Sequence, residues 1–84
     1  MPIADHIARH QISAEEAEQV IENDPLDIEA ETLDGEERIT SVGQTDQGRF
    51  LVVVTTFLET RLRVITAFSA PKNLIDLYFI HKGV

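Results

Sequence analysis

Residues 49–57 contain the run Leu51-Val52-Val53-Val54-Thr55-Thr56, in which the five β-branched residues favour an extended backbone. Side chains along a strand alternate between the two faces of a sheet, so this run is apolar on both. Such a segment belongs in the middle of a sheet, with a strand on either side. Short turn signals supply those neighbours. Asp34-Gly35 precedes a strand at 38–43, Thr45-Asp46-Gln47-Gly48 separates it from the central run, and Leu58-Glu59-Thr60 leads into another at 61–67. Upstream, Leu26, Ile28 and Ala30 alternate with Asp27, Glu29 and Glu31, which predicts a half-buried strand with an acidic solvent face. Connections this short leave only antiparallel neighbours, a meander.

Helical signals flank the strands. Ile3 and Ile7 lie four apart beside Ala4 and Ala8, which predicts a short helix over 2–10. Ser13-Ala14-Glu15-Glu16 has the form of a capping box, in which the Ser hydroxyl accepts the amide of Glu16 and Glu16 reaches back to the amide of Ser13. Ala17, Val20 and Ile21 continue that helix until Asn23-Asp24-Pro25 stops it. Near the end, Ser69 is the expected cap and Pro71 the first turn of a helix carrying Leu74, Ile75, Leu77, Tyr78, Phe79 and Ile80. The predicted fold is α+β: a four-stranded antiparallel meander sheet with two N-terminal helices and one C-terminal helix, the helices packed on one face. At 84 residues this is expected to be a single domain over 1–84.

Composition narrows the chemistry. There is no cysteine, which removes disulfides, thiol nucleophiles and cysteine-based zinc sites. The net charge of -8 argues against nucleic-acid binding by bulk charge, but that charge is unevenly spread. Residues 13–37 carry eleven acids and no Lys or Arg, whereas residues 38–84 carry six bases against three acids. No signal-peptide pattern opens the chain and no apolar run approaches the roughly 20 residues of a membrane helix, so a cytoplasmic protein without membrane attachment is expected.

No Gly-rich phosphate loop or Gly-x-Ser-x-Gly motif is present. His6 and His10 have metal-ligand spacing but lack a third ligand, and the acidic stretch lacks a calcium-loop pattern, so no metal or other cofactor is expected. Arg61 and Arg63 are two apart on one strand and project from the same face, a geometry suited to clamping a phosphate. Arg49 opens the preceding strand. The competing reading is that these arginines neutralise acids across the sheet. The apolar surface of the last helix calls for a partner, with Leu74, Tyr78 and Phe79 as its expected interface.

Several strings together carry a family resemblance. Arg9-His10-Gln11-Ile12-Ser13-Ala14-Glu15-Glu16-Ala17 resembles the Lys-His-Gly-Ile-Ser-Phe-Glu-Glu-Ala opening of BrnT-type toxins, and Asn23-Asp24-Pro25 is similar to that family's Glu-Asp-Pro. Asp34-Gly35-Glu36-Glu37-Arg38 followed by Gly43 resembles its Gly-Glu-x-Arg-x-x-x-x-Gly signature. Arg61-Leu62-Arg63-Val64-Ile65-Thr66-Ala67 resembles its Arg-x-Arg-Ile-Ile-Ser-Ala strand. The resemblance implies a RelE-like fold and a bacterial type II toxin–antitoxin pair. Its implied activity is metal-independent RNA cleavage through the 2′-OH, held in check by a BrnA-like antitoxin. Arg61 and Arg63 would then act on the scissile phosphate with His10 assisting proton transfer, and Arg49 and Arg38 would bind RNA. The chain departs from the family at Phe68 and Ser69, where two cations are usual, and is expected to lack the family's first strand. The alternative is a non-catalytic member of the same fold that forms a homo-oligomer or a hetero-complex with an antitoxin-like protein.

Overall fold

The computed structural model describes residues 12–82; the helix expected over 2–10 lies outside them, as does His10. The described chain runs α1 (Ala14–Glu22), β1 (Leu26–Leu33), β2 (Glu36–Gln44), β3 (Phe50–Leu58), β4 (Arg61–Ser69) and α2 (Lys72–Lys82). The class is α+β, with one antiparallel sheet in the order β1-β2-β3-β4. β3 lies between β2 and β4, and Leu51, Val52 and Val53 are buried, as a run apolar on both faces requires. Among the described residues no helix is long and apolar enough to cross a membrane.

Two of the turns have the same backbone shape but different chemistry. Asp34 and Gly35 link β1 to β2 with φ of 53° and 79°, the paired positive values of a tight hairpin turn. Glu59 and Thr60 link β3 to β4 at 52° and 70° without any glycine. A β-branched residue in this region is strained, because its Cβ crowds the backbone. Thr60→Gly is therefore expected to stabilise the protein by about 1 kcal/mol, a Tm rise of roughly 4–8 °C in thermal denaturation. An unchanged or lower Tm would show that the turn stores no strain.

α1 begins as its capping box dictates. The Ser13 hydroxyl accepts the Glu16 amide and Glu16 Oε1 accepts the Ser13 amide, both at 3.1 Å. At the other end the Asn23 side chain donates to the Gln44 carbonyl and to Asp46 Oδ1, each at 3.0 Å, tying the helix to the β2–β3 turn. Ala17 and Val20 face the sheet.

The two helices lie on opposite faces, not on one. α1 packs on Leu51, Val53 and the half-buried Ala67, whereas α2 packs through Tyr78 on Val42 and Val52, with Phe50, Leu26 and Ile28 around them. The physical reason lies in β3 itself: Leu51 and Val53 point one way and Val52 the other, so each face needs a cover. α2 also starts later than expected. Ser69 ends β4, and the Pro71 carbonyl accepts the amides of Leu74 and Ile75 at 3.0 and 3.1 Å. Tyr78 and Leu74, expected at a partner interface, pack against the second sheet face, which takes up part of the apolar side of the helix. Tyr78 is buried and Leu74 is packed beside it. Phe79 meets Phe50 and Tyr78 edge-on, with centroids 5.3 and 5.7 Å away, and remains partly exposed.

Two bulges change which way the edge strands face. In β1, Asp27 pairs with Ser41 but Glu29 with Thr40, leaving Ile28 as the extra residue. In β4, Thr66 pairs with Val54 but Val64 with Thr55, leaving Ile65.

Candidate functional site

The β3–β4 register places Arg63 opposite Thr56 and Arg61 opposite Leu58. Thr56 and Leu58 have the same parity along β3 as Val52, so both arginines stand on the face that carries α2. α2 packs against the Phe50 and Val52 end of that face, and the end bearing the arginines is uncovered. The β2–β3 register adds Arg38, which pairs with Thr56 from the other side. Glu31, Arg38, Thr56 and Arg63 thus form one row across the four strands, with Arg61 in the next row.

The electrostatics of this row are graded. The bulge at Ile28 turns Glu29 and Glu31 toward the arginine face, so its β1 side is acidic. Arg38 Nε donates to Glu36 Oε1 at 3.3 Å, which partly neutralises the middle. Toward β4 the acids run out: β3 contains none, and among the described residues neither Arg61 nor Arg63 has an ion-pair partner. The reading that acids neutralise these arginines therefore finds no partner for Arg61 or Arg63 among the described residues. Both are exposed at the open end of the strand. Unpaired guanidiniums about 6.6 Å apart along a strand can fork onto one phosphate or grip two successive ones. The Thr56 hydroxyl between the arginines is already committed, donating to the Glu37 carbonyl at 2.7 Å.

Arg49 is not part of this group. It stands on the α1 face, where its Nη1 contacts Glu16 Oε2 at 3.4 Å and its Nη2 donates to Ser69 Oγ at 3.4 Å. Glu16 thereby serves the capping box with one oxygen and Arg49 with the other. Arg49→Ala is expected to lower stability by about 1 kcal/mol or less, since the pair is partly solvated, which thermal denaturation checks. A larger loss would show that Arg49 holds α1 to the sheet more firmly than its partly solvated pair accounts for.

Phe68, at a position where a cation was expected from the resemblance, lies on the arginine face opposite Val52 and is 39% exposed. Without the bulge at Ile65, five residues of strand would put Arg63 and Phe68 on opposite faces. Nothing in the residue pattern marks that bulge. Glu36 and Thr56 also share the face and were not singled out from the sequence. Their parity with Arg38 and Arg63 was the available signal, but reading it requires the strand register. Among the described residues no three acidic or histidine side chains cluster as metal ligands.

Compared with known proteins, residues 3–73 match the family described as "Ribonuclease toxin, BrnT, of type II toxin-antitoxin system". No curated protein and no solved structure matches the chain. The family match takes in α1, the whole sheet and all four arginines discussed above. The chain accordingly belongs to the BrnT family of ribonuclease toxins of type II toxin–antitoxin systems.

Proposed function

We propose that this chain is the toxin of such a pair and cleaves RNA at the open end of the α2 face, with Arg61 and Arg63 on the scissile phosphate and Arg38 holding a flanking one. The observation that carries this reading is the pair of arginines that meet no acidic partner among the described residues, on an exposed stretch of β3 and β4 without acids. The reaction they suit is attack by the RNA's own 2′-OH on the adjacent phosphorus. The P–O5′ bond breaks, the 2′ proton leaves to a base and O5′ takes up a proton, giving a 2′,3′-cyclic phosphate and a 5′-OH. As negative charge grows on the phosphoryl oxygens, fixed guanidiniums bind the transition state more tightly than the ground state. His10, which lies outside the described residues, is the proposed proton-transfer group, because imidazole exchanges protons near neutral pH. No step calls on a metal ion. An antitoxin of BrnA type is the proposed inhibitor.

Purified protein incubated with RNA in excess EDTA tests the proposal directly. Fragments ending in a 2′,3′-cyclic phosphate are expected, and expression of the chain alone should arrest growth. Intact RNA together with healthy growth at high expression would leave the chain as a non-catalytic interaction module. Cleavage that disappears in EDTA would instead overturn the metal-free mechanism.

A further inference from the structure

The face opposite the arginines carries a surface that RNA chemistry does not explain. Among the described residues, an open groove of about 440 Å³ runs between α1 and β4. Leu62 and Val64 line its floor, Ile21 its inner wall, and Glu18 and Glu22 its rim. Phe57, 52% exposed and paired with Leu62, extends the apolar floor. We propose that this groove is a docking site for a basic amphipathic helix of a partner protein.

Two spacings support that occupant. Leu62 and Val64 are about 6.6 Å apart along the strand, and Glu18 and Glu22 are one helical turn apart on α1. Both repeats match residues four apart on a docked helix, so one apolar stripe can seat on the floor while Lys or Arg on its flank meets the two glutamates. Charge decides among the alternatives. α1 carries four acids and no basic residue, which disfavours nucleic acid and anionic lipid. A second copy of this chain fits poorly. Its own α1 is acidic, and the two lysines of its α2 are already paired, Lys72 with Asp76 at 3.0 Å and Lys82 with Asp24 at 3.1 Å. The groove is too open to enclose a small molecule. Because Arg61 and Arg63 point to the other side of the sheet, a partner held here leaves them uncovered. The proposal therefore stands or falls independently of the ribonuclease reading.

The test uses the full chain and a fluorescent amphipathic helical peptide with Leu on one face and Lys on the other. Fluorescence anisotropy is expected to show saturable binding, weakened about tenfold or more when every Lys of the peptide is replaced by Glu. Reversing the rim with E18K/E22K should weaken binding of the Lys peptide by about tenfold, and V64E should do the same from the floor. E29K/E31K changes net charge equally but acts on the other face, so it should alter binding by less than about twofold, as should R61A/R63A. Equal loss with E29K/E31K would reduce the effect to bulk charge and overturn the proposal. So would a dimer of the free chain in sedimentation that V64E dissolves, which would assign the groove to a second copy.

Discussion

Replacing Arg61 and Arg63 together with Ala is expected to lower RNA cleavage by at least about 10³-fold, since each positioned donor on a developing oxyanion is typically worth about 10²–10³. The protein should otherwise be unharmed. Neither side chain has an ion-pair partner among the described residues and both lie on the exposed strand, so the Tm should stay within about 3 °C of the parent. Single-turnover cleavage of a labelled RNA, alongside thermal denaturation, separates the two effects. The double Lys variant should recover part of the binding but little of the rate, because an ammonium keeps the charge and loses the planar fork. The slope of log affinity against log salt should also shallow by about 1.4 in the Ala variant, the contribution of two phosphate contacts on a single strand. A rate loss below about tenfold would remove these arginines from the mechanism, wherever else the activity resides.

Gly43→Ala should produce the largest loss of stability from one methyl group. Gly43 lies in β2 beneath the end of α1, and a Cβ there would meet Pro25 Cβ and Val20 Cγ1 at 3.1 Å and Pro25 Cα at 3.2 Å. Pro25 Cα is backbone and Val20 is fully buried, so the clash cannot be relieved by rotating one side chain. Pro25 and Val20 must each give by a few tenths of an ångström against a close-packed helix–sheet contact. The expected cost is about 1–3 kcal/mol, a fall of roughly 5–20 °C in Tm for a domain of this size. Because α1 covers the face opposite Arg61 and Arg63, cleavage per folded molecule should remain close to the parent at low temperature. A change in Tm under about 2 °C would mean that α1 has room to move, and that the glycine answers no packing demand.

Much of the architecture was legible because it depends on local chemistry. Ser13 and Glu16 satisfy each other's backbone wherever α1 is placed, Asp34-Gly35 is already a hairpin turn, and Leu51 to Val54 needs an interior position. The arginine pair was legible for the same reason, since residues two apart on a strand share a face in any fold. The partners of Arg49 were not legible, because Glu16 and Ser69 are 33 and 20 residues away and nothing near it in the chain announces either. The packing of Tyr78 and Leu74 was not legible, because it depends on a sheet face whose cover had been assigned to the other side.

Within the described residues, the elements, their order, the antiparallel pairing and the family were all legible from periodicity, turns, caps and motif strings. Only the folded arrangement sets which face each helix covers, that the bulges at Ile28 and Ile65 turn Glu31 and Phe68 onto the arginine side, and that Arg61 and Arg63 meet no acidic partner among the described residues. The physical reason is register. A bulge shifts every following side chain to the other face of its strand, and no local preference records that shift until the strands are paired.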